Sequence, residues 1–234
     1  MIAILGAMDA EIREFLNHMP EDTAEQWQEF AFHRGRLHGV DVVVGKSGVG
    51  KSMAAMITQH LIEYYGVDAI IFTGLAGGLR PELEIGDTVL GFDCLQYDVD
   101  ATVFGFARGE IPYSSYRVFQ SDPRMLEQVS AIDPEHGSVH TGRILTGDRF
   151  VSGSDAELVR ELREELDGMA VEMEGASVGL VATVNHVPFL LIRTISDRAD
   201  GAAPKHFTRF LSRASRNSWH FVSTLLQGGA IADL

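Results

Sequence analysis

Short apolar-rich runs alternate along this chain with longer stretches in which apolar residues recur every three to four positions. Residues 1–5, 68–72, 87–94, 142–147 and 188–195 are runs of the first kind and read as buried strands. Residues 9–18, 121–130, 154–166 and 206–226 read as helices, the Glu- and Arg-rich stretch 154–166 as an amphipathic one on the surface. Another helix runs to Tyr65, with Met53, Met56, Ile57, Leu61 and Ile62 at helical spacing. Residues 30–45 read as two strands joined around 37–39, where His38-Gly39 is a turn signal. Residues 20–25 read as a polar loop. Residues 97–117 carry Gly105, Gly109 and Pro112 among several aromatics and read as irregular, the kind of segment that serves function or an interface. Strands alternating with helices, without repeat, linker or low-complexity stretch, predict one α/β domain over residues 1–234. Its architecture is a mixed, mostly parallel twisted sheet flanked by helices.

Three of the apolar runs deliver carboxylates just past their ends. The first leads through G-A-M-D-A-E to Glu11. The stretch A-V-E-M-E-G-A-S-V, residues 170–178, sets Glu172 and Glu174 either side of Met173, where a strand pattern gives way to a helix pattern. F-L-L-I-R-T-I-S-D ends in Asp197. Carboxylates are costly to bury unless something uses them, and in open α/β sheets the carboxyl ends of the strands are where ligands bind. One site built from all three runs is therefore the expectation. The competing reading is that each acid caps a helix or complements its dipole.

Composition narrows the function classes. Hydrophobic residues make up 45% of the 234, enough for a substantial core, and charged residues make up 22%. A formal net charge of −14 argues against nucleic acid or an anionic membrane as partner, since both call for a basic face. The single cysteine, Cys94, has no intrachain partner and reads as a small buried hydrophobe in a reducing compartment. No apolar run approaches the ~20 residues of a membrane span. The N-terminus lacks the basic region of a signal peptide and reads as a first strand, so a cytoplasmic location is expected.

One motif points elsewhere. Residues 45–52, G-K-S-G-V-G-K-S, match the phosphate-binding loop pattern between a strand and a helix. That reading makes Lys51 a phosphate ligand and Ser52 a magnesium ligand. Against it, no second strand delivers a magnesium-binding Asp beside a clean apolar run. The acids at the other strand ends would repel a polyphosphate, and glycines also serve a tight strand-to-helix turn.

G-A-M-D-A-E, K-S-G-V-G-K, T-G-L-A-G-G-L, G-D-R-F-V, A-V-E-M-E-G-A and I-S-D-R-A-D follow one another in this order along nearly the whole chain. In this the sequence resembles the 5′-methylthioadenosine/S-adenosylhomocysteine nucleosidases of the purine nucleoside phosphorylase superfamily. The resemblance implies a nucleoside phosphorylase-like fold and hydrolysis of an adenine N-glycosidic bond, with no metal and no cofactor. It implies Asp197 as the general acid toward purine N7, Glu11 as the base that activates water, and Glu174 on the ribose hydroxyls. Phe150 would stack on the base, with the Val151 backbone recognising it and Ser196 orienting Asp197. Met8, Val49, Met173 and Phe207 would line the ribose and 5′-substituent pocket, with Gly77 beside it. Glu172 and Arg193 would stand behind these groups, or form a purely structural ion pair. It also implies a homodimer in which Ala101, Phe104 and Pro112 reach the partner subunit's pocket, and a loop at 45–52 that borders a nucleoside and holds no triphosphate.

The residues speak to the nucleophile as well. A phosphorolytic enzyme needs arginines converging on phosphate, whereas the first turn carries Asp9 and Glu11, and the turn at 73–79 has no arginine before Arg80. Water is the expected nucleophile. Two positions depart from the family pattern: Leu75 stands where Ser is usual, and Tyr97-Asp98 where a His-Asp pair is common. A nucleosidase for aminodeoxyfutalosine or 5′-deoxyadenosine, a catalytically silent nucleoside-binding module, and a P-loop nucleotide triphosphatase are the alternatives.

Overall fold

Among the described residues, the run of strand and helix signals resolves into ten strands and six α-helices. The computed structural model describes residues 1–20, 22–151, 155–197 and 203–229, with side chains in the last segment from Phe210 onward. The strands are β1 (Ile2–Gly6), β2 (Thr23–Trp27), β3 (Phe30–Leu37), β4 (Val40–Lys46), β5 (Ala69–Gly78), β6 (Thr88–Gln96), β7 (Val118–Gln120), β8 (Val139–Thr146), β9 (Gly168–Glu172) and β10 (Phe189–Asp197). The helices are α1 (Asp9–Asn17), α2 (Lys51–His60), α3 (Pro123–Ser130), α4 (Ala156–Glu164), α5 (Gly175–Val184) and α6 (Ala203–Gln227). One π-helical turn, Leu61–Tyr65, continues α2.

All ten strands join one mixed sheet in the order β10-β6-β8-β9-β5-β1-β4-β3-β2, with β7 beside β6. Because β10 also pairs with β5, the first five strands of that order close on themselves, while β1, β4, β3 and β2 extend outward. The ladders of β1 with β4 and β5, of β5 with β10, and of β8 with β6 and β9 are parallel. Antiparallel ladders form the β2–β3–β4 meander and join β10 to β6, β6 to β7 and β5 to β9. Every residue of β10 is buried, Arg193, Ser196 and Asp197 included, as in a strand covered on both faces. One core cluster sits under α2 and α5, where Ala54, Ile57, Val178 and Ala182 meet Phe72 and Leu191. The other lies under α1, α3 and α6, where Phe15, Met125 and Phe221 meet Ile71 and Leu190.

Three elements differ from expectation. Residues 20–25 do not form a loop throughout: β2 begins at Thr23 as an edge strand whose side chains are largely exposed, so no apolar period marks it. β7 has only three residues, too few to show a period. β5 does not stop at Phe72 but runs on through Thr-Gly-Leu-Ala-Gly-Gly. Those glycines keep the strand extended and let neighbours approach closely. β10 pairs with β5 as far as Gly77, and β9 pairs with Gly77 and Gly78 beyond the end of β1. Helix α6 clamps α1 from outside: Ser215 Oγ donates to the Glu11 carbonyl at 3.2 Å and accepts from the Glu14 amide at 3.3 Å. The rings of His18 and Trp219 stack with centroids 3.9 Å apart.

Candidate active site

Each strand-end carboxylate is fixed by hydrogen bonds, several of them from distant segments. Glu11 lies in the first turn of α1, where its carboxylate accepts from the Met8 amide at 2.9 Å and from the Leu75 amide of β5 at 3.0 Å. A Cβ on Gly74 would stand 2.7 Å from Glu11 Oε1, so any other residue here would push the carboxylate from its place. Burial pushes the Glu11 carboxyl above its ordinary range, opposed by the Arg193 charge and by amides of Leu75, Met8 and Ala7.

Glu172 ends β9 and is saturated. It accepts from the Gly175 amide at 2.7 Å, from Arg193 at 2.7 Å, and from the Thr146 hydroxyl. Glu172 thus satisfies the N-terminus of α5 and neutralises a buried guanidinium. Arg193 is 1% exposed, lies 4.2 Å from the Phe72 ring centroid, donates to the Phe72 carbonyl at 3.1 Å, and does not reach the cavity wall. Of the two readings for Glu172 and Arg193, the geometry gives the ion pair, with Glu172 touching the cavity and Arg193 behind it.

Glu174 takes the position before α5, and its Oε1 accepts from the Gly50 amide at 2.8 Å. Burial, with the charge of Glu172 second, pushes its carboxyl up to about 8, partly offset by the Gly50 amide and Arg193. Asp197 closes β10 opposite Gly77, where the ladder shifts register, and the Ser196 hydroxyl donates to its Oδ2 at 2.9 Å.

Glu11, Glu172, Glu174 and Asp197 border one cavity of about 200 Å³. Of the other residues expected there, Met8, Val49, Gly77, Phe150, Val151, Met173 and Ser196 also line it. Phe150 is 51% exposed, an aromatic face left open at the mouth. The side chain of Phe207 lies outside the described residues. Ala101, Phe104 and Pro112 do not touch the cavity of their own chain. They belong to the 97–117 segment, where Thr102–Phe104 forms one 3-10 turn and where Phe104 (79%) and Tyr113 (94%) stand exposed.

Sequence reasoning missed the lining residues Ala7, Ala76, Arg149 and Val171. Arg149 sits inside G-D-R-F-V and was legible there; it pairs with Asp155 at 2.5 Å. The others are strand ends brought in by register. The loop at 45–52 spends its amides on the chain's own carboxylates: Gly50 on Glu174, and Lys51 on Asp148 at 2.7 Å. Lys51 Nζ pairs with Asp98 at 2.6 Å. The position a phosphate would take is thus bordered by carboxylates already bonded there, which removes the nucleotide triphosphatase reading. Among the described residues no helix is long and apolar enough to cross a membrane.

The phosphorylase superfamily matches residues 1–227 of this chain. A 5′-methylthioadenosine/S-adenosylhomocysteine nucleosidase of Staphylococcus haemolyticus is 35% identical over 97% of this chain and 99% of its own length. The nucleosidase of the same name from Neisseria meningitidis, solved with methylthio-immucillin-A, superimposes with a TM-score of 0.90 at 35% identity, covering 97% of this chain and 98% of its own. A futalosine hydrolase from Helicobacter pylori superimposes with a TM-score of 0.89 at 31% identity, covering 97% of each.

Proposed function

The chain belongs to the phosphorylase superfamily, within its 5′-methylthioadenosine/S-adenosylhomocysteine nucleosidases, and from that premise we propose that it hydrolyses the N-glycosidic bond of these two adenine nucleosides. The observation that carries the reading is the convergence of carboxyl groups on the cavity. Glu11, Glu174 and Asp197 converge on it, while Arg193, the buried arginine among the described residues, is bonded behind them to a fourth carboxylate, Glu172. Such a wall favours a ligand that becomes positive as it reacts, which is what a ribosyl oxocarbenium-like transition state does.

In the proposed step the bond from C1′ to the purine N9 breaks, its electron pair leaves with adenine, and Asp197 gives a proton to N7. Ser196 orients Asp197 for this. Water attacks C1′ and Glu11 takes its proton; a carboxyl raised by burial is better matched to that task near neutral pH. Glu174 accepts from the ribose hydroxyls, and exposed Phe150 stacks on the base, with the Val151 backbone beside it. Met8, Val49 and Met173 give the 5′-thioether an apolar bed. Water is favoured over phosphate because Arg149, the arginine among the described lining residues, is paired to Asp155, and Arg80 is held by Asp167 and the Gly168 carbonyl. The exposed aromatics of residues 97–117 support a homodimer in which Ala101, Phe104 and Pro112 complete the partner subunit's site.

The test is adenine release, followed by chromatography, from 5′-methylthioadenosine in phosphate-free buffer with chelator, beside S-adenosylhomocysteine and aminodeoxyfutalosine. Adenine and free thioribose are expected, with Glu11→Gln and Asp197→Asn each lowering turnover about 10²–10⁴-fold at unchanged circular dichroism. No adenine from wild type, or full turnover in both variants, overturns the reading. Adenine from aminodeoxyfutalosine alone would favour the specificity suggested by the futalosine hydrolase neighbour.

A further inference from the structure

The cavity wall at residues 149–151 follows β8 with no helix or strand of its own, and Asp148, Arg149 and Phe150 are all exposed, so core packing does not hold it. Much of what does hold it is the end of the neighbouring strand. β6 and β8 run parallel with Gln96 opposite Thr146 as their last pair, and the Tyr97 amide donates to the Thr146 carbonyl at 2.9 Å. Tyr97 and Asp98 therefore leave the sheet beside Gly147 and Asp148. The Tyr97 ring takes the space of a Gly147 side chain, since a Cβ there would lie 2.5 Å from it. Its hydroxyl donates to the Arg149 carbonyl at 3.4 Å, and the Asp98 carboxylate accepts from the Asp148 amide at 2.9 Å. Burial, with the Asp98 charge second, pushes the Tyr97 hydroxyl up to about 12, so it stays a donor. Both acids also reach α2. Asp98 accepts from Lys51 Nζ at 2.6 Å and Asp148 from the Lys51 amide at 2.7 Å. The adjacent amide, that of Gly50, holds Glu174. Neighbouring amides of one helix N-terminus thus grip Glu174 and the loop that carries Phe150.

We propose that Asp98 and Asp148 are positioning residues: they tie the base-binding wall at 149–151 to the turn that holds Glu174, and so set the spacing between the base and sugar subsites of an adenine nucleoside. The inference rests on the nucleosidase reading and deepens it, since neither acid lines the cavity. An exposed wall left loose must be ordered each time a base binds, and that ordering is subtracted from affinity. The tie orders the wall in the free protein instead. Lys51 permits it, because a cation between them keeps two adjacent carboxylates from repelling each other. The lysine of the phosphate-loop pattern and the Tyr97-Asp98 departure from the family pattern thus belong to one device. Contacts to the base are made in the ground state and the transition state alike, so loosening the wall raises KM and spares kcat. Because the tie is partly solvent-exposed, its effect is modest.

The experiment measures kcat and KM for 5′-methylthioadenosine, and the Kd of adenine by calorimetry, in wild type, Asp98→Ala, Asp98→Asn, Asp148→Ala and the double alanine variant. Asp98→Ala and Asp148→Ala are each expected to raise KM and the adenine Kd together by about fivefold, with kcat within about twofold of wild type. Asp98→Asn, which keeps an acceptor for the Asp148 amide, falls between them and wild type. Because the two acids act through one tie, the double variant matches the single ones rather than multiplying them. A role in stability alone lowers the active fraction, and hence kcat, at unchanged KM and Kd. That result, or no change in any constant, overturns the tie and leaves the nucleosidase reading standing. If wild type binds adenine and cleaves nothing, the nucleosidase reading falls, and the adenine Kd of the variants still decides the tie. If wild type does neither, both fall.

Discussion

Two strand-to-helix junctions meet at the cavity, β4 into α2 and β9 into α5. The first carries the stronger sequence signal, a full phosphate-loop pattern. The second, Glu-Met-Glu-Gly, matches no phosphate motif. Both present helix N-terminal amides, which attract anions wherever they occur. What differs is the anion each has. At α5 it is Glu172, three residues before the first helical residue, locked by Gly175, Thr146 and Arg193. At α2 it arrives from far along the chain, Glu174 on the Gly50 amide and Asp148 on that of Lys51. A glycine-rich turn specifies amide geometry; the identity of the bound anion depends on which carboxylates the rest of the fold delivers.

If the β9–α5 junction is the structural one, removing its anion must be costly. Glu172→Ala leaves a buried guanidinium and the first α5 amide without their acceptor, and is expected to cost about 3–5 kcal/mol in urea unfolding. A loss below about 1 kcal/mol would erase the distinction between the junctions.

Glu174 links the two, and its titration sharpens the contrast. Its folded-state pKa of about 8 lies above its ordinary 4.5, so folding takes up a proton between those values. Stability from this group is full at low pH and is lost as pH rises through about 8. Glu174→Gln removes that loss, so its Tm relative to wild type should climb by a few degrees between pH 5 and 9. A pH-independent difference would remove Glu174 as the titrating link. If ribose hydroxyls donate to the ionised carboxylate, as proposed, wild-type KM should fall over the rise toward pH 8.

The smallest effect belongs to the motif lysine. Lys51→Ala breaks a partly exposed pair with Asp98, worth no more than about 1 kcal/mol. It is expected to leave calorimetry with magnesium and ATP as blank as in wild type. Magnesium-dependent ATP binding lost on this substitution would restore the loop to its textual meaning.

The sequence reveals the carboxylates better than what holds them. Glu11, Glu174 and Asp197 were legible because each follows an apolar run, and ends of parallel strands gather at one edge. Most strands and most of the described helices were legible from pattern. β2 was not, because an exposed edge strand has no buried face to impose alternation. The far half of β5 was not either, because its glycines carry turn chemistry while the fold uses them for close approach. The bonds that fix the site, Leu75 amide to Glu11, Thr146 hydroxyl to Glu172 and Gly50 amide to Glu174, depend on strand register and crossing between distant segments. Nothing local in a sequence encodes those.

The clamp of α6 on α1 has a bearing on when catalysis can begin. The Glu11 carbonyl is held by a residue 204 positions later, and the helix that carries Glu11 stacks its His18 against Trp219. A ribosome making this chain finishes Glu11 early and supplies its brace late. Contacts of such sequence separation form slowly and are absent from partial chains. A nascent polypeptide interrupted before Ser215 would hold all ten strand sequences and still lack both contacts, so the helix carrying the proposed water-activating group gains this brace only when synthesis is nearly done.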